Sequence, residues 1–179
     1  METLSVDTFY EDDKMWYVKK QFSNETGIFS SSRVHILRLG PSEDLLDCLF
    51  KYARVTGIKA ASIVSAVGSL QQTNVRYANA DSGVSLTGFF EIVNLVGNID
   101  SQSMDPTDKG SGHVHIAISD GNGVTIGGHL LTGNLIYTTA EITLVEIING
   151  LFERVLDYRG SGYKELQVKR DGALVDKDA

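Results

Sequence analysis

Residues 112–130, Gly-His-Val-His-Ile-Ala-Ile-Ser-Asp-Gly-Asn-Gly-Val-Thr-Ile-Gly-Gly-His-Leu, leave the chain little choice of local structure. Val114, Ile116 and Ile118 recur at every second position with His113, His115, Ala117 and Ser119 between them, a strand with one apolar face and one small, polar face. Asp120-Gly-Asn-Gly123 carries turn chemistry and Val124 to Leu130 alternates again, so the two runs form a β-hairpin. Burial selects the register. If facing residues sum to an even number, Ile118 lies opposite Ile126 and Val114 opposite Leu130, and every apolar side chain stays on one face; a slip of one residue scrambles the faces. A loop with an odd number of residues, closed by Gly123 in the left-handed conformation, produces that register.

The same register sets His115 opposite His129, with His113 one pleat along on the same side. Directly opposed Cβ atoms stand roughly 4.5–5.5 Å apart, so three imidazoles can converge on one point. Three neutral imidazoles suit Zn²⁺ or a similar divalent ion and leave a fourth position for water or substrate, whether the ion is structural or catalytic. The competing reading is a solvated strand face with His129 in a loop. A His-x-His pair alone does not separate the two; the register favours the metal. Gly127 and Gly128 remove two side chains where another backbone, a subunit or a ligand can come close.

The rest of the 179 residues suffices for one domain with a substantial core. Net charge is −7, which argues against a wide positive field for gripping phosphates. Cys48 has no partner for an intramolecular disulfide and lies in an apolar helical pattern, so it reads as core packing in a reducing compartment. No segment is long and apolar enough to span a bilayer, and the acidic start with Glu2, Asp7, Glu11, Asp12 and Asp13 lacks a signal-peptide pattern. The expected location is therefore intracellular, in the cytoplasm.

In chain order, residues 1–30 read as an N-terminal extension in which Met15 to Val18 can add a strand. Arg33 to Leu39 reads as a strand with Val34, Ile36 and Leu39 inward; His35, on the other face, is a fourth candidate ligand whose distance in sequence favours a surface or satisfied polar role. Ser42 caps a helix with Leu45, Leu46, Leu49, Phe50, Ala53 and Val55 at helical spacing, ended by Gly57. Ala60 to Leu70 reads as a strand buried on both sides, broken near Gly68-Ser69, and Thr73 to Ala78 alternates. Phe89 to Gly97 is a further strand, with Phe90, Ile92 and Asn94 on one side and Glu91, Val93 and Leu95 on the other; Glu91 is either a buried acid with a partner or part of an exposed face. A polar loop from Asp100 to Gly112, a long strand from Tyr137 to Ile148, a closing hairpin from Phe152 to Val168 and a frayed tail at residues 171–179 complete the chain. The sum is an α+β domain over residues 31–170, a strongly bent and mostly antiparallel sheet with one main helix packed on it.

Seven segments carry a resemblance: Arg38-Leu-Gly-Pro-Ser-Glu-Asp-Leu45, Ala66-Val-Gly-Ser-Leu70, Phe90-Glu-Ile92, Leu95-Val-Gly-Asn-Ile99, Gly112-His-Val-His-Ile116, Gly127-Gly-His-Leu130 and Thr139-Ala-Glu141. In that order they resemble the PPC domain, the plants and prokaryotes conserved family, over roughly Arg33 to Val168. The resemblance implies a PPC-like fold assembling as a homotrimer, with zinc held in free-standing members by histidines, here His113, His115 and His129. It also brings an association with DNA, because plant members join the domain to AT-hooks in nuclear proteins. This sequence holds no Arg-Gly-Arg-Pro AT-hook, and Phe89 stands where the family carries Arg before Phe-Glu-Ile. Three functional classes follow. The first is a trimeric regulatory or interaction domain with protein partners or a small-molecule ligand. The second is a zinc-dependent, hydrolase-like enzyme with Glu91 or Glu141 as general base to a metal-bound water. The third is direct DNA binding, which the dispersed Lys and Arg among more numerous acids disfavour.

Overall fold

A computed structural model describes residues 30–100, 111–156 and 162–171. The expected strand at Met15–Val18, most of the loop before Gly112 and the tail after Asp171 lie outside the described residues. In chain order the elements are β1 (Ser32–Leu39), α1 (Leu45–Thr56), β2 (Ala61–Arg76), β3 (Val84–Asp100), β4 (Ser111–Ser119), β5 (Thr125–Leu130), β6 (Leu135–Ile147), β7 (Gly150–Leu156) and β8 (Lys164–Arg170). Two compact units divide them at Ile148/Asn149. In the second unit β7 and β8 form an antiparallel hairpin from Gly150↔Arg170 to Leu156↔Lys164.

The first unit is a single antiparallel sheet in the order β1-β6-β2-β3-β4-β5, and β5 returns to pair with the end of β2. Val75↔Leu130 and Arg76↔His129 make that closing ladder. The closure needs bent strands. Register shifts between Leu70 and Gln72, seen against β6, and between Ile92 and Asn94, seen against β4, supply extra residues in β2 and β3, and such bulges bend a strand and raise its twist. It also needs a strand that tolerates backbone on both edges. A Cβ on Gly127 would stand 2.6 Å from the Ile116 carbonyl oxygen, and one on Gly128 would stand 2.6 Å from that of Arg76.

Helix α1 covers the concave apolar face. Leu45, Leu46, Leu49 and Ala53 are buried against Leu37, Leu39, Leu70, Phe90, Ile92, Leu95, Val114, Ile116, Ile136, Ile142 and Leu144. Each fully buried leucine contributes about 1.5–3 kcal/mol. The cap is Asp44, not Ser42. Ser42 sits at φ 68 and its hydroxyl accepts from Gln71 Nε2 at 3.1 Å. Asp44 serves better because its two oxygens do two jobs: Oδ1 accepts from the N–H groups of Leu46 and Asp47, both at 3.0 Å, while Oδ2 accepts from Gly133 at 2.5 Å and Asn134 at 3.1 Å. Gly57, at φ 73, ends the helix as expected. Cys48 packs at the edge of the core, and burial, followed by the nearby Glu43 and Asp44, pushes its thiol pKa up.

Three face assignments differ from those read in the sequence. In β1 the inward residues are Leu37 and Leu39, whereas Val34 and Ile36 are exposed and Ile36 is 80% accessible. In β2, Val64 and Val67 are exposed, so the strand is not buried on both sides. In β3 the bulge after Ile92 shifts the alternation by one, so Leu95 joins Phe90 and Ile92 in the core while Asn94 is exposed. Val55 of α1 also faces out. Apolar side chains on the sheet face away from α1 cannot be told from core by pattern alone.

Asp44→Ala removes the helix cap and leaves the Gly133 and Asn134 N–H groups without their acceptor, an expected loss of about 2–4 kcal/mol. Urea unfolding measures it, and a midpoint equal to that of the unaltered protein would refute the linkage.

Candidate metal centre

The hairpin register is the one expected. His115 pairs with His129, Ile118 with Ile126 and Ser119 with Thr125. The β4–β5 ladder ends at His115↔His129, and Leu130 pairs with Val75 of β2 on the other edge. In the loop the Asp120 N–H donates to the Val124 carbonyl and the Gly123 N–H to the Asp120 carbonyl, both at 3.0 Å, with Gly123 at φ 77. The Asp120 carboxylate accepts from the N–H groups of Val124 and Asn122, each at 2.9 Å, and these bonds hold its pKa below the usual carboxylate value.

His113, His115 and His129 therefore project from one side, opposite the buried Val114, Ile116 and Leu130. Their ring centroids are 4.8, 5.2 and 5.6 Å apart, and one ligand-capable nitrogen from each lies within 4.8 Å of the others. Nε2 of His113 is 3.0 Å from Nε2 of His115. Nitrogens at that separation share either a proton or a cation; in a tetrahedral zinc site neighbouring nitrogens stand about 3.3 Å apart. His129 is half-buried, and its Nδ1 is enclosed with no hydrogen-bond partner among the described residues. Burial, then His113, Arg76 and His115, pushes the His129 pKa down to about 4, so its imidazole is neutral and can donate a lone pair near pH 7. The donor set thus fits a divalent ion of the zinc type, with an open position on the exposed side.

The other candidates lie elsewhere. His35 is satisfied: Nδ1 is 2.9 Å from the Tyr52 hydroxyl and Nε2 is 3.0 Å from Glu146, which Arg33 also pairs. Glu91 is an exposed residue, not a buried acid, and pairs with Ser119, four residues or roughly 13 Å along β4 from His115. Glu141 is exposed on β6 opposite Val67, nine positions along β2 from Arg76. Within one chain neither carboxylate reaches the histidines. Arg76 and Asn94 do border them, in a cleft of about 590 Å³ that also holds Tyr77, Val96 and the Gly127-Gly128 backbone. The alternation of Thr73 to Ala78 shows which face Arg76 takes, but only the β2–β5 pairing shows what it faces.

Residues 27–148 match the model of the Plants and Prokaryotes Conserved (PCC) domain. The chain belongs to this family. The PCC chain is 39% identical over 140 residues to a Bifunctional protein GlmU from Synechococcus sp. (strain JA-3-3Ab), a match covering 78% of this chain and 21% of that protein. It is 28% identical over 119 residues to AT-hook motif nuclear-localized protein 8 of Arabidopsis thaliana, covering 66% of this chain and 29% of that protein. It thus spans less than a third of the length of either curated relative. Among solved structures, a hypothetical protein from Salmonella cholerae-suis superimposes with a TM-score of 0.74 at 32% identity, over 80% of this chain and 97% of that one. The seven-segment resemblance is thereby shown at the level of the family.

His129 takes up its proton at about pH 4 in the folded chain and near 6.5 when unfolded. Between those values the unfolded chain binds more protons, so the metal-free protein is expected to lose stability as pH falls from 6.5 toward 4, with no such contribution above that window. His129→Gln should flatten this part of the thermal-midpoint profile; an unchanged slope would assign the acid sensitivity elsewhere.

Proposed function

We propose that this PCC-domain chain forms a homotrimeric regulatory or interaction module built around a divalent metal, zinc by the chemistry of its ligands, held by His113, His115 and His129. The observation that carries this reading is the convergence of three imidazole nitrogens within 4.8 Å on one side of a rigid hairpin. A divalent ion bound there supplies a Lewis-acidic centre and ties β4 to β5. A free Cys48 suits action in the reducing cytoplasm. No helix of the described residues is long and apolar enough to cross a membrane.

Support for the trimer comes from the sheet face away from α1. Val34, Ile36, Val67, Phe89 and Val93 are exposed there, and the Phe89 ring rests on Tyr137 with centroids 4.4 Å apart. Several large apolar side chains exposed on one sheet face suit an interface. Phe89, 65% accessible, adds to it.

Direct DNA contact is not part of the reading. The Arabidopsis relative is named for an AT-hook, but the net charge of −7 and the lack of an Arg-Gly-Arg-Pro segment leave this chain without that grip. The hydrolytic alternative asks for a general base within hydrogen-bond reach of the ion, and Glu91 and Glu141 do not supply one within a chain.

Purified protein is expected to carry about one zinc per chain by elemental analysis, and His115→Ala well below that. Unchanged stoichiometry in the variant would remove the site. The solution mass is expected near three times the 19.5 kDa of one chain, with Ile36→Asp shifting it downward; a single-chain mass for the unaltered protein would overturn the trimer.

A further inference from the structure

The sheet closure sets three side chains in a row. Arg76 of β2 is directly opposite His129 of β5, and His129 is directly opposite His115 of β4. Opposed residues in an antiparallel ladder share a face with Cβ atoms roughly 4.5–5.5 Å apart, so the guanidinium borders the imidazole cluster. A permanent positive charge is out of place beside a site suited to a cation. Among the described residues Arg76 has no carboxylate partner; its hydrogen bond is from Nη1 to the Ala80 carbonyl at 3.5 Å, a long contact that leaves most of its donors unused. The residue is half-buried, and its remaining guanidinium nitrogens are accessible rather than enclosed, free to meet a ligand.

The cleft that Arg76 and the histidines line, about 590 Å³, is in the range of small-molecule sites. Among the described residues no acidic side chain lines it, in a chain whose net charge is −7. Tyr77 and Val96 supply apolar wall, Asn94 an amide, and Gly127-Gly128 bare backbone. We infer that this cleft is a binding site for a small organic carboxylate, with Arg76 recognising the negative charge and the histidine-bound metal completing the site. The inference rests on the metal reading above. One guanidinium, which presents paired N–H donors, suits a singly charged carboxylate. The apolar wall suits a ligand with a carbon body; a phosphate would call for further cations or a nest of backbone N–H groups.

Cobalt(II) replaces zinc as a visible probe. Protein loaded with Co²⁺ is titrated with propionate, benzoate and inorganic phosphate, following the cobalt absorption band and, in parallel, heat of binding. Saturable binding of a carboxylate that perturbs the band, weakened at least tenfold in Arg76→Gln while cobalt stoichiometry stays that of the unaltered protein, supports the site. Arg76→Lys should recover part of the affinity. Full cobalt loading with no carboxylate response, or an affinity that Arg76→Gln leaves unchanged, overturns this inference and leaves the metal reading standing. Phosphate binding as tightly as the carboxylates overturns the assigned class. Failure to take up cobalt at all overturns both readings, and elemental analysis distinguishes that case from the others.

Discussion

The architecture turns on one short strand being hydrogen-bonded along both edges. β5 pairs with β4 on one side and with the end of β2 on the other. Two consecutive glycines make this possible, because a side-chain carbon at either position would press into a carbonyl oxygen of the adjoining strand. An open edge strand of six residues would fray and leave unpaired N–H and C=O groups, whereas closure removes the edge. It also fixes His129 against two partners at once, so the spacing of the clustered histidines is set by backbone hydrogen bonds and not by side-chain packing alone.

A second polar joint holds the helix to the same region. Asp44 caps α1 and grips the loop between β5 and β6, and the fully buried Asn134 in that loop is satisfied on both sides of its amide. Its oxygen accepts from the Thr73 hydroxyl at 2.7 Å and the Asn74 N–H at 3.0 Å; its nitrogen donates to the carbonyls of Asn74 at 3.0 Å and Leu131 at 2.6 Å. These bonds link the start of the helix, the end of β2 and the exit of β5. Buried networks of this kind specify one arrangement when every member is paired, and here every member is.

The hairpin was legible in the sequence because one physical requirement decided it: Val114, Ile116, Ile118 and Ile126 had to share a face, and a period of two allows only one register parity. The helix was legible for the same reason, in its 3.6-residue repeat. Errors arose where two physical causes leave the same pattern. Val34 and Ile36 alternate like core residues although the chain leaves them uncovered, and Val64 and Val67 make β2 look buried on both faces. Ser42 has a better capping side chain than most, but Asp44 has a second set of donors waiting ninety residues away in sequence. Arg76 escaped notice because the partner that makes it interesting comes from a non-local closure that no local pattern announces.

The extra residue between Ile92 and Asn94 governs everything after it in β3. Before it, even-numbered side chains enter the core; beyond it, Leu95 and Ile99 do, while Val96 lies beside His115 and Asn98 beside His113. Removing Val93 would leave Ile92, Asn94 and Leu95 opposite Ile118, Ala117 and Ile116 in unbroken alternation, so the bulge is an added residue that the ladder absorbs without turning Leu95 outward. The bulge is thus the one point described in β3 against β4 where a change of length by one residue is tolerated, whereas at the regular pairs beyond it an indel would carry Leu95 or Ile99 to the opposite face.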